Sequence, residues 1–109
     1  MFIYVLMKKL KMNLFPPPTE STFIFLSLNG LLSINANPLN TNKTIAGLIY
    51  FLSNCIIYSP FFQNISYEER FFLIYMLTIV HTEIIDNKRE SAHNYLINML
   101  ENYTIFEQI

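Results

Sequence analysis

From Thr19 onward the chain alternates apolar stretches with short polar breaks, and its second half is the better patterned. Ala92, Tyr95, Leu96, Met99, Leu100 and Tyr103 recur at i, i+3, i+4, i+7, i+8 and i+11, while Glu90, His93, Asn94, Glu101 and Asn102 take the other side. That spacing predicts an amphipathic helix with one stripe on a core. Asn87-Lys88-Arg89-Glu90 reads as a capping box opening this helix with Asn87 as the cap. Ser66-Tyr67-Glu68-Glu69 is another, opening a helix through Phe71, Phe72, Ile74, Tyr75, Leu77, Thr78 and His81 to about Ile85, where Asp86-Asn87 breaks it. The two boxes mark residues 64–104 as the region whose local signals agree best.

The preceding stretch is apolar nearly all round. Asn42 is placed to cap a helix running to about Tyr58, with Ile45, Leu48, Ile49, Leu52, Cys55 and Ile56 on one face. Ala46, Tyr50, Phe51, Asn54 and Ile57 occupy the other, and Ser59-Pro60 ends it. Residues 19–36 admit two readings. Asn29-Gly30 between apolar runs is a hairpin signal, and the same residues fit a helix capped by Thr19 or Ser21 and stopped by Gly30. With no second strand pair downstream for a hairpin to join, helix is the expectation. Pro16-Pro17-Pro18 sets a boundary, since consecutive prolines remove donors and disfavour helix. The predicted fold is all-α: a small bundle of three to four antiparallel helices, 19–109, behind an extended N-terminal arm, 1–18.

Composition changes this picture in one place. At 109 residues, 52% hydrophobic and 14% charged, the chain is one domain long and too apolar for intrinsic disorder. Lys+Arg 7 against Asp+Glu 8 leaves no cationic excess for nucleic-acid phosphates. The charges cluster: Lys8, Lys9 and Lys11 near the start, only Lys43 in 21–67, and seven acids with three bases in 68–109. An uncharged middle of that length faces either protein or lipid. Ile45 to Phe62 carries no charge and sits at the lower edge of the ~20 residues a crossing needs, weakened by Ser53, Asn54, Ser59 and Pro60. Phe71 to Val80 is too short to cross. The bundle is therefore preferred, with a membrane-associated protein anchored by 43–62 as the alternative.

Met1 to Met7 precedes the lysines, the wrong order for a signal peptide. A start at Met7 or Met12 would turn Phe23 to Leu32 into a leader core with Ala36 near a cleavage point, although Pro16-Pro17-Pro18 and Glu20 interrupt it. Glycosylation triplets at Asn42, Asn64 and Asn102 are a weak signal in a chain with twelve Asn. The expected location is intracellular, cytoplasmic before membrane, and not secreted.

Little points to chemistry. One cysteine, Cys55, excludes an internal disulfide and a thiolate-built structural zinc site, and its apolar neighbours predict a buried, inert thiol. His81 has Ile84 and Ile85 at i+3 and i+4, so no carboxylate orients it from its own helix; His93 lies on the polar face with Glu90 at i−3. Glu68-Glu69 suits a helix start. With two glycines and no nucleophile elbow, His-Glu-x-x-His, P-loop or Cys-x-x-Cys, the expectation is a protein that is not an enzyme, with no cofactor, metal or small-molecule substrate.

Ile74-Tyr75, the acidic turn Asp86-Asn87 and His93-Asn94-Tyr95-Leu96 give residues 50–106 a rhythm that resembles a cyclin box. The stretch lacks the Arg that usually follows such a Tyr and the Lys of the next cyclin helix, so the resemblance implies a truncated box unable to complete a kinase-binding surface. The main expectation is a small non-enzymatic helical interaction module that buries its apolar helix against a protein partner or another copy. Its candidate interface is Tyr50, Phe51, Ile57, Tyr58, Phe61 and Phe62.

Overall fold

The computed structural model describes residues 8–10 and 19–107. From Thr19 the chain forms α1 (Glu20–Ala36), α2 (Asn42–Tyr58), a 3₁₀ turn (Pro60–Phe62), α3 (Tyr67–Ile85) and α4 (Arg89–Glu107), with no strand among the described residues. The connections are short, so successive helices run antiparallel. α1 packs on α2 and α4, α2 on α3, and α3 on α4, which closes a four-helix ring. This is the all-α bundle the pattern predicts, and residues 19–36 are helix rather than hairpin.

Local chemistry sets the helix starts. The Thr19, Thr41 and Ser66 hydroxyls accept from the backbone N–H of Thr22, Thr44 and Glu69, at 3.3, 3.2 and 3.2 Å. Thr41 therefore caps α2, and Asn42, expected as the cap, is its first helical residue. Thr41 wins because its hydroxyl stands three residues before a free N–H while its backbone is still extended, φ −78 and ψ 157.

The second capping box is also corrected. Asn87 has φ 60, in the left-handed region, where asparagine is one of the few residues tolerated. Its N–H bonds the Ile84 carbonyl at 3.0 Å and the Lys88 N–H bonds that of Glu83 at 2.8 Å, a Schellman closure of α3. Asn87 thus ends one helix instead of starting the next. Lys88 holds the cap position of α4, its carbonyl accepting from Ala92 N–H at 3.0 Å.

Gly30 does not stop α1, which continues to Ala36. A Cβ there would lie 3.2 Å from Leu10 Cβ and 3.5 Å from the Leu10 carbonyl oxygen. The missing side chain lets Leu10 approach the helix backbone, and Leu10 is buried. The rest of the predicted arm lies outside the described residues.

All six positions predicted for the inner face of α2 are buried: Ile45, Leu48, Ile49, Leu52, Cys55 and Ile56. They meet Phe23, Ile24, Leu28 and Leu31 of α1, Leu73, Met76, Leu77, Val80 and Ile84 of α3, and Ala92, Leu96, Met99 and Tyr103 of α4 in one core. Phe23, Ile24, Leu28 and Leu31 of the run weighed as a leader are thus core residues. The α4 stripe holds except at Tyr95, which is 38% exposed. Below α2, Phe61 and Phe62 meet edge-on at 5.1 Å, and Phe23 contacts both rings at 5.6 and 5.5 Å, closing that end with aromatic packing.

None of α1 to α4 carries a basic residue in its last turn. Two arginines from elsewhere bind the carbonyls instead. Arg70, in the first turn of α3, donates to the Ile57 and Phe62 carbonyls at 3.3 and 2.6 Å. Arg89, the first residue of α4, donates to those of Asn40, Asn35 and Asn37 at 2.6, 2.5 and 2.9 Å. Each guanidinium brings positive charge to backbone carbonyls at or just beyond the end of another helix.

Candidate interaction surface

Once the inner faces are packed, the outer surface of α2 and α3 still carries large apolar side chains. On α3, Tyr67, Phe71 and Tyr75 follow one another at i, i+4 and i+8 and are 83%, 76% and 66% exposed, with exposed Ile85 at the far end. Thr78 and Thr82 are exposed on the same face. Their hydroxyls bond the carbonyls of Ile74 and Thr78 at 2.8 and 3.0 Å, so neither needs water to satisfy its donor. α2 adds exposed Tyr50, whose ring lies 6.3 Å from that of His81 and ties the two helices side by side.

The predicted interface residues divide into three groups. Tyr50, Ile57 and Tyr58 are exposed. Phe51 and Phe61 are half-buried. Phe62 is fully buried among the aromatic rings and offers no surface. The pattern signalled apolar excess on α2 but missed the larger share on α3. The sequence shows apolar residues on both faces of α3; in the structure Leu73, Leu77, Val80 and Ile84 fill the inner one, so Tyr67, Phe71 and Tyr75 point the other way.

Elsewhere the chemistry is sparse. Burial pushes the Cys55 thiol up from 9.0 to about 11, which keeps it protonated and poorly nucleophilic near neutral pH. No three of His, Cys, Asp and Glu come together among the described residues. A depression of about 620 Å³ between the start of α1 and the turn after α2 includes Thr19, Glu20, Phe61 and Gln63, and Asn64 Nδ2 donates to Glu20 Oε1 across it at 3.0 Å. Among the described residues no helix is long and apolar enough to cross a membrane. The run 43–62 proposed as an anchor is broken between Tyr58 and Pro60.

No family model, curated protein or solved structure matches the chain, so the cyclin-box resemblance of residues 50–106 gains no support from them.

Proposed function

We propose that this is a small non-enzymatic protein-interaction module whose docking surface is the outer side of α2 and α3. The observation that carries the reading is the row Tyr67, Phe71 and Tyr75, which stays exposed although it contributes nothing to the core. Exposed tyrosine and phenylalanine supply large, stiff contact area at low entropic cost, and a contiguous apolar surface of this kind marks an interface.

The test is the size of the native assembly. In an extract of its own cells the chain elutes well above 12.9 kDa, alone or with a partner, and Phe71→Glu with Tyr75→Glu shifts it to the size of a single chain. Circular dichroism and melting temperature stay within a few degrees of the parent. Elution of the unaltered chain at monomer size, both in extract and when purified, overturns the reading.

A further inference from the structure

We infer that the outer face of α3 docks on the same face of a second copy, antiparallel, with the two-fold axis at Thr78. This rests on the interaction-module reading and names its partner. The face is uncharged through Tyr67, Phe71, Tyr75, Thr78, Thr82 and Ile85. Charges stand only at its two ends, and their order is self-complementary. With Thr78 on the axis, Glu68 falls opposite Lys88 of the second copy, in the turn just past the end of α3, and Phe71 falls opposite Ile85. Glu68 and Lys88 are both exposed. A parallel arrangement would set Glu68 against Glu68 and Lys88 against Lys88, so charge selects the antiparallel one. Thr78 at the crossing is small, and its internally bonded hydroxyl leaves no donor stranded when it is covered.

α3 has 19 residues, about 28 Å of helix at ~1.5 Å per residue. A strip of that length buries on the order of 500 Å² per copy, at the low end of specific interfaces. Two Glu68–Lys88 pairs form in each dimer, so reversing one sign turns both from attraction to repulsion.

Sedimentation velocity of the purified full chain, from about 5 µM to 1 mM, tests the proposal. The parent moves from monomer to dimer across the series. Phe71→Glu abolishes the dimer, Glu68→Lys weakens it about tenfold, and Glu68→Lys combined with Lys88→Glu recovers most of the loss. A chain that stays monomeric at 1 mM overturns the inference, and so does a dimer that Phe71→Glu leaves intact or a double variant no tighter than Glu68→Lys. If the purified chain is monomeric while the extract still holds it in a larger complex, self-docking fails and the interaction-module reading stands. Circular dichroism on each variant separates loss of association from loss of fold.

Discussion

The two ends of the bundle are closed by different means. At the end holding residues 37–41 and 86–88, closure is polar and directed at backbone. Arg89 binds three carbonyls, Asn35 Nδ2 returns a bond to the Arg89 carbonyl at 2.9 Å, and Asn42 Nδ2 reaches Asn87 Oδ1 at 2.7 Å. At the opposite end, Arg70 binds two carbonyls and its buried Nε finds no partner among the described residues. There Phe23, Phe61 and Phe62 supply the closure by packing, assisted by the Tyr103 hydroxyl donating to Glu69 at 3.3 Å. The polar end concentrates its order in one guanidinium; the aromatic end spreads it over apolar area. One substitution therefore opens different ends to different degrees.

The comparison is sharpest at Phe62. Truncating it to alanine leaves a cavity at the aromatic end and costs about 4 kcal/mol of stability in urea titration. Arg89→Ala follows at about 3 kcal/mol, with amide exchange quickening first at residues 35–41. Arg70→Ala costs about 2 kcal/mol, because the aromatic cluster still closes its end. Equal losses for the two arginines, in the same titration, would dissolve the distinction between the ends. The hydroxyl caps are smaller and should match one another: Thr41→Ala and Ser66→Ala each cost about 1 kcal/mol. Asn87→Gly moves stability by no more than about 0.5 kcal/mol, since glycine accepts φ 60 while the bond to Asn42 is lost. A loss of several kcal/mol there would make the Asn42–Asn87 bond, not Arg89, the main tie at the polar end.

Much of the bundle was legible because helix periodicity is a local signal. The inner face of α2 is fully determined by the spacing of Ile45, Leu48, Ile49, Leu52, Cys55 and Ile56, and Ser66 with Glu69 marks the start of α3. Where two local rules competed for one residue, the pattern was silent on the winner. Asn87 suits both an N-cap and a left-handed C-terminal position, and the bonds to Ile84 and Glu83 decide it. Gly30 looked like a stop because its reason for being glycine, Leu10, is twenty residues away. Arg89 was hidden further still: its acceptors lie 49 to 54 residues earlier, and no window along the chain joins them. The candidate surface was half-legible for a related reason. Apolar residues on both sides of α3 show that one side is left over, but only packing tells that it is the side bearing Phe71 and Tyr75.

The Arg89 clamp also orders events during synthesis. The carbonyls that close α1 precede in the chain the guanidinium that binds them, so until α4 is made the α1–α2 turn has only its own bonds, among them Asn40 Nδ2 on the Ile34 carbonyl at 3.0 Å, Asn40 N–H on that of Asn37 at 3.1 Å and Leu39 N–H on Asn37 Oδ1 at 3.0 Å. The clamp on the first turn is thus supplied by the last helix, and the polar end is complete only with α4 in place.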